Sequence, residues 1–120
     1  MKENVVMSKS FSFAIRMVNM YRVLCGRKEY VLSKQLLRSG TAIGALLREA
    51  EHAQSMADFI NKLSVALKEA NEAEYWILLL HKTRYISNRE FESVIVDCRE
   101  IVRLLISIVK TSKQKIRKLE

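Results

Sequence analysis

The sequence predicts an all-α protein, folded as an antiparallel, up-down-up-down four-helix bundle. The chain of 120 residues has no proline and only three glycines, whereas a β-sandwich or barrel of this length needs many turn residues. Apolar residues make up 49% of the chain, which suffices for one hydrophobic core. Four amphipathic segments with short polar links pack most simply as such a bundle. We therefore expect a single domain over residues 1–120.

The first two helices are predicted over residues 8–25 and 30–51. Ser8 or Ser10 can cap the first helix, and Gly26 stands after its last periodic residue, where a left-handed cap is favoured. The core face of helix 1 is predicted from apolar residues at steps of three and four: Phe11, Ala14, Ile15, Val18, Tyr21 and Cys25.

Helix 2 has small residues at its centre, where most helices carry large ones. A glycine inside a helix costs roughly 1 kcal/mol relative to alanine. A helix that keeps Gly40 and Gly44 is therefore expected to let a neighbouring backbone approach closely. We predict that the closest interhelical contact is made by Ser39, Gly40, Ala42, Ile43 and Gly44.

The third and fourth helices are predicted over residues 55–84 and 88–112. Each begins at a capping box, in which a serine stands three residues before an acid: Ser55 with Asp58, and Ser87 with Glu90. Apolar residues then recur at alternating steps of four and three in both helices: Phe59, Leu63, Ala66, Ala70, Ala73, Ile77 and Leu80, then Phe91, Ile95, Cys98, Val102, Leu105 and Val109. Further apolar residues widen both faces, which indicates either self-association or a deep core.

Charge is distributed unevenly along the chain, whose net charge is +8. Residues 1–48 contain nine bases and two acids, a balance of +7, and residues 49–100 contain six bases and ten acids, a balance of −4. Residues 101–120 contain six bases and one acid, a balance of +5. A basic surface attracts polyanions, although a charge excess also serves solubility alone.

Bases at helical spacing predict a phosphate-binding surface. Lys34, Arg38 and Arg48 share one stripe of helix 2. Two further groups lie on helix 1 and in a basic tail over residues 111–120: Lys9 and Arg16, and Lys113, Lys115, Arg117 and Lys118. Most aromatic residues fall on core faces, so no platform for stacking single strands is indicated. The pattern predicts contact with backbone phosphates of RNA or DNA, which is sensitive to salt and weakly selective for sequence.

Patterns for catalysis or metal binding are sparse. Glu49 and His52 form one Glu-x-x-His motif, whereas a helical di-iron site needs two such motifs and two further glutamates. Cys25 and Cys98 have no metal-ligand spacing and are interpreted as core thiols of a reducing compartment. We therefore expect no catalytic residue, no metal and no cofactor. The longest apolar run, residues 75–80, is far shorter than the ~20 residues of a membrane span. No signal peptide is indicated, so a cytoplasmic protein is predicted.

Two long segments carry a resemblance to a known family. LSKQLLRSGTAIGALLREA (32–50) and ADFINKLSVALKEANEAEYWI (57–77), together with SFSFAIRMVNMY (10–21), resemble the bacterial four-helix-bundle proteins encoded in intervening sequences of 23S ribosomal RNA genes. This family is similar in fold to the accessory variability determinant of diversity-generating retroelements. The resemblance covers nearly the whole chain and implies a ring-shaped homo-oligomer, a homopentamer, with a basic surface suited to RNA or DNA. Many relatives carry Asn at the position of Leu46, where this chain departs from the pattern.

Three functions are compatible with these observations. The first is a non-enzymatic, oligomeric nucleic-acid-binding protein that contacts phosphates. The second is an interaction adaptor whose basic face docks an acidic protein, such as a reverse transcriptase or a ribosomal component. The third is a small helical enzyme, in which Glu49 and His52 contribute to a site across a subunit interface.

Overall fold

The computed structural model describes residues 2–119, most of which lie in four α-helices. These are α1 (Lys2–Gly26), α2 (Leu32–Glu51), α3 (Met56–Lys82) and α4 (Asn88–Leu119). Met1 and Glu120, which belong to the predicted domain and tail, lie outside the described residues. Between residues 2 and 119 there is no β-strand, and no helix there is long and apolar enough to cross a membrane.

Neighbouring helices run antiparallel around one core. Lys9 of α1 pairs with Glu100 near the middle of α4, and Arg27, which directly follows α1, pairs with Glu90 in the first turn of α4. The two helices therefore run in opposite directions. Within the described range each helix packs closely against two neighbours, and no Cα atoms of the diagonal pairs, α1 with α3 or α2 with α4, lie within 8 Å of each other. The predicted all-α bundle is thus confirmed, while its assembly into a ring stays a prediction.

The predicted core faces of α3 and α4 are confirmed. Ala66, Ala70 and Ala73 are fully buried along the centre of α3, where their small side chains let α2 and α4 come close. Of the further apolar residues that widen the face of α4, Val94 and Ile101 are also buried. These additional residues of α4 therefore belong to the core of the bundle.

The core face of α1 differs from the predicted one. Its buried residues are Val6, Ser10, Phe13, Met17 and Leu24. Phe11 is 60% exposed and Ile15 is 49% exposed, so the predicted face lies toward solvent. Helix 1 carries apolar residues on two faces, and periodicity alone does not show which of them the neighbouring helices cover.

Two helix ends also differ from the prediction. Helix α1 begins at Lys2, so neither Ser8 nor Ser10 caps it. Helix α4 continues to Leu119, because the lysines and arginines of the predicted tail are good helix formers and no glycine or proline interrupts them.

The link between α1 and α2 is built differently from the prediction. The left-handed backbone conformation belongs to Lys28, with φ of 64°, and not to Gly26. Helix α2 begins at Leu32 and not at Tyr30. Its first turn is capped by the carboxylate of Glu29, which accepts N–H bonds from three backbone amides of residues 31–33.

Both predicted serines cap their helices, and the reciprocal capping box forms at Ser87, whereas the Asp58 carboxylate accepts the N–H of Gln54 at 3.3 Å in place of that of Ser55. The Ser55 hydroxyl accepts the backbone N–H of Asp58 at 3.0 Å. At the start of α4, Ser87 Oγ accepts the N–H of Glu90 at 3.1 Å, and Glu90 Oε1 accepts the N–H of Ser87 at 2.8 Å. These local motifs place the α2–α3 and α3–α4 links where the sequence predicted them.

Candidate nucleic-acid interface

The small residues of α2 lie against α1. Gly40 is buried, and a Cβ atom added to it would lie 2.8 Å from Sδ of Met17. A Cβ atom on Gly44 would make an ordinary contact, 3.5 Å from Oγ of Ser10. Of the other predicted packing residues, Ser39 and Ile43 are fully buried, and Ala42 is half-buried. Close packing in this patch is therefore concentrated at Gly40.

The middle of the predicted stripe on α2 is occupied by an ion-pair network with α3. Arg38 donates to Glu69 Oε2 at 3.0 Å and to Glu72 Oε1 at 2.5 Å. Glu72 also accepts the indole N–H of Trp76 at 3.1 Å. The hydrogen bond from Arg38, followed by that from Trp76, lowers the pKa of Glu72. The positive charge of Arg38 is thus neutralised by the two glutamates, although its side chain is 51% exposed.

The other two bases of that stripe are exposed. Lys34 and Arg48 form no ion pair with a carboxylate of residues 2–119. Arg48 stands at the edge of a groove between α1 and α2. The predicted surface on α2 therefore offers two cations with a neutralised one between them.

The predicted bases of α1 hold this helix to α4. Lys9 Nζ lies 2.5 Å from Glu100 Oε1, and this hydrogen bond raises the pKa of Lys9. Arg16 pairs with Asp97 and donates to the hydroxyl of Ser93 at 2.8 Å. Both bases have structural partners across the α1–α4 contact.

The bases of the predicted tail are all exposed on the last turns of α4: Lys113, Lys115, Arg117 and Lys118. Because these turns are helical, the tail bases continue the surface of the rest of α4. Lys113 and Arg117 lie in line with Arg103 and Lys110, at steps of seven, three and four residues. The tail is thus the end of a longer cationic face.

Sequence reasoning missed this face of α4. Its exposed positions alternate steps of three and four along the whole helix: Arg89, Glu92, Val96, Arg99, Arg103, Ile106, Lys110, Lys113 and Arg117. These exposed positions follow the same spacing of three and four residues as the apolar residues that predict the helix, so the sequence alone contains the information needed to find this face. The face was missed because helix 4 was predicted to end near residue 112. The last bases were then assigned to a separate tail and not to the same helix face.

An apolar groove of about 800 Å³ runs between α1 and α2. Its lining residues include Met7, Phe11, Ala14, Gly44 and Ala45. Phe11 stands at one side of the groove, and the exposed Ile15 follows it one turn along α1. This surface combines the unexpected outward face of α1 with the small residues of α2.

The residues considered for catalysis are separated from other reactive groups. Glu49 and His52 are exposed near the end of α2, and Glu49 pairs with Lys62 at 3.4 Å. Within residues 2–119, no group of three or more His, Cys, Asp or Glu side chains is placed to hold a metal ion. Cys98 is buried, which raises the pKa of its thiol to about 12.

Fold and surface together define a small antiparallel four-helix bundle with cationic outer helix faces. The chain belongs to the family of 23S rRNA-intervening sequence proteins, whose sequence profile matches residues 2–107. This confirms the family suggested by the two long segments of α2 and α3.

A solved structure agrees with this assignment. The crystal structure of a protein of unknown function from the S23 ribosomal protein family of Bacteroides thetaiotaomicron is similar to this chain, with a TM-score of 0.90 and 61% sequence identity. The match covers 92% of this chain and 99% of that protein. A comparison with curated proteins gave no match.

Proposed function

We propose that this protein is a non-enzymatic, oligomeric nucleic-acid-binding protein that contacts phosphates through its basic helix faces. The observation that carries this proposal is the division of its bases into two groups. One group is paired with acids across contacts between helices, at partly exposed positions of the bundle surface: Lys9, Arg16, Arg27, Arg38, Lys62 and Arg99. The other 15 of the 21 Lys and Arg residues are exposed and form no ion pair with a carboxylate of residues 2–119. These bases supply the excess of positive charge, and such an excess attracts a polyanion.

Self-association is supported by the outward face of α1. Phe11, Ile15 and Val18 are exposed side by side, next to the groove between α1 and α2. Covering the exposed parts of these apolar side chains would stabilise contact with a second copy. Several copies would bring several basic faces to one polyanion and strengthen its binding.

A cytoplasmic location is part of the proposal. Cys25 and Cys98 are both free thiols, which fits a reducing compartment. The resemblance to proteins encoded within ribosomal RNA genes makes structured RNA the first polyanion to examine.

The test of binding is a titration of labelled RNA and DNA with the purified protein at several salt concentrations. We expect binding whose affinity falls steeply as salt rises and differs little between unrelated sequences. Affinity that does not change with salt, or absence of binding at low salt, would contradict the proposal.

The test of assembly is light scattering. We expect a mass several times the 13.9 kDa of the chain, with a homopentamer as the specific expectation from the resemblance. Replacing Phe11 and Ile15 by Glu is expected to reduce the mass to that of one chain. A wild-type mass near 13.9 kDa at micromolar concentration would refute self-association.

One observation favours the adaptor as a second candidate. The α1–α2 groove has an apolar floor with Arg48 at its edge, which suits an amphipathic acidic segment of another protein, such as a reverse transcriptase or a ribosomal component. Binding of such a protein that is abolished by Arg48→Glu, without any binding of nucleic acid, would favour the adaptor over the first proposal.

A further inference from the structure

Helix α4 presents a row of bases to solvent. Beyond Arg89, five exposed bases follow on this outward face, separated by steps of four, seven, three and four residues: Arg99, Arg103, Lys110, Lys113 and Arg117. We infer that this face is the phosphate-binding surface and that its partner is a nucleic-acid duplex. This inference rests on the proposed function and deepens it by naming the surface and the form of the nucleic acid.

The row is long and straight. At the rise of an α-helix, the segment from Arg99 to Arg117 spans about 27 Å, which approaches the length of one duplex turn, about 34 Å. A duplex carries about one phosphate charge per 1.7 Å of its axis, so a rigid row of this length can meet several phosphates at once. The single ordered helix supplies that rigidity.

Most of these cations are available to a partner. Arg103, Lys110, Lys113 and Arg117 form no ion pair with a carboxylate of residues 2–119, and Arg99 donates to Glu74 at 3.0 Å. The two apolar members of the face, Val96 and Ile106, lie singly between charged positions, and isolated apolar side chains of this kind are ordinary on protein surfaces.

The α2 stripe is a weaker candidate for the same role. Its central base, Arg38, is held by two glutamates of α3. This leaves Lys34 and Arg48, which are separated by about 21 Å along the helix. Counterions are released in proportion to the phosphates neutralised, so the α4 face is expected to contribute more of the salt dependence.

The chemistry of the α4 face favours a duplex over a single strand. Proteins that bind single strands combine cations with aromatic side chains on which bases stack. The large exposed aromatic residues of the described chain lie on other elements: Phe11, Tyr30, Tyr75 and Tyr85. The α4 face thus offers contacts to phosphates and no platform for bases. RNA and DNA duplexes share the phosphate chemistry, and separate arms of the experiment distinguish them.

Two variants with the same change in charge test the assignment. The first replaces Arg103, Lys110 and Lys113 by Gln, and the second replaces Lys34, Arg38 and Arg48 by Gln. Each is titrated against an RNA duplex, a DNA duplex and a single strand, all of about 20 nucleotides, a length that exceeds the span of the row. Helix content and melting temperature are measured for each variant. For the α4 variant they are expected to match the wild type, because its three bases are exposed and unpaired within residues 2–119.

We expect the α4 variant to reduce the log–log salt slope for at least one duplex by about 0.9 unit for each phosphate that the protein no longer neutralises. The α2 variant is expected to keep most of the wild-type slope. Wild-type protein should bind that duplex more tightly than the single strand.

Three kinds of result would overturn the inference, and they are distinguishable from one another. Equal slope reductions in both variants would show that only net charge matters, and a larger reduction in the α2 variant would transfer the role to α2; the proposed function would survive either result. Tighter binding of the single strand would refute the duplex assignment alone. If wild-type protein bound none of the three probes in a salt-sensitive way, the proposed function itself would fail.

Discussion

Gly40 of α2 packs so closely against Met17 of α1 that a Cβ atom added to the glycine would overlap the methionine side chain. A Cβ atom on Gly40 would lie 2.8 Å from Sδ of Met17, whose side chain is itself fully buried. Four residues along the same helix, Gly44 has room for a Cβ atom, 3.5 Å from Oγ of Ser10. The two glycines of α2 therefore differ in how closely the neighbouring helix packs against them.

The first prediction compares alanine at these two glycines. Gly40→Ala is expected to lower the melting temperature, because overpacking of about 1–3 kcal/mol opposes a gain in helix propensity of about 1 kcal/mol. Gly44→Ala is expected to leave the melting temperature unchanged or to raise it. Thermal unfolding followed by circular dichroism measures both, and equal effects of the two substitutions would contradict this account.

The second prediction concerns Glu90 and acid stability. The bidentate hydrogen bonds from Arg27, at 2.9 and 2.8 Å, followed by the N–H of Ser87, lower the pKa of Glu90 from its ordinary value of 4.5 to about 2. Because this pKa is lower in the folded state, the carboxylate stabilises the fold above pH 4.5 and ceases to do so as the pH falls toward 2.

Glu90→Gln is therefore expected to lower the melting temperature at neutral pH. The difference from wild type should shrink between pH 4.5 and about 2, where the wild-type carboxyl also becomes neutral. Glu92→Gln is a matched control, since Glu92 is exposed on the same helix. A difference that stays constant over this range would show that the charge of Glu90 does not stabilise the fold.

The third prediction concerns Glu29, the buried carboxylate at the start of α2. Burial raises the pKa of a carboxyl, but N–H bonds from Ser33, Leu32 and Val31 outweigh this effect and lower the pKa of Glu29. Glu29→Ala leaves those amides without their acceptor and is expected to reduce the free energy of unfolding by about 1–2 kcal/mol. Urea unfolding measures the change, with Glu51→Ala as a control at the exposed end of the same helix. A stability equal to wild type would rule out the capping role.

The fourth prediction concerns the two thiols. Cys98 is fully buried, its pKa is raised to about 12 by burial, and its Sγ lies 3.5 Å from the carbonyl oxygen of Ala70. A protonated and covered thiol is a poor nucleophile, so native Cys25→Ser protein is expected to resist alkylation by iodoacetamide. Mass spectrometry before and after unfolding measures the modification. Rapid alkylation of the native variant would show that this part of the core opens readily.

The elements whose patterns are short-range were predicted well. The line from Leu63 to Leu80 in α3 is buried as expected, because one face of that helix is apolar and the rest is mixed. The serine caps at Ser55 and Ser87 also formed, because each depends on atoms three residues apart. The prediction for helix 1 was wrong, since Phe11 and Phe13 are two residues apart and point to different faces, and only the neighbouring helices decide which is covered.

The candidate site was predicted only in outline. The sequence showed that bases are in excess, but it did not show that Arg38 meets Glu69 and Glu72 of the next helix. It also did not show that the predicted tail is a helical extension of α4. Coulomb pairing depends on distance in space, so residues remote in sequence determine which cations are neutralised.

The sequence alone determined the number and type of the helices, the core faces of α3 and α4, and the excess of positive charge. Hydrophobic periodicity and capping depend on residues close together in the chain, and net charge depends on composition. Tertiary structure alone decided which face of α1 is buried, which glycine of α2 lies closest to the neighbouring helix, and which bases remain exposed on α4. Those outcomes depend on how four helices fit together, since burial and ion pairing are relations between atoms that the chain brings together only by folding.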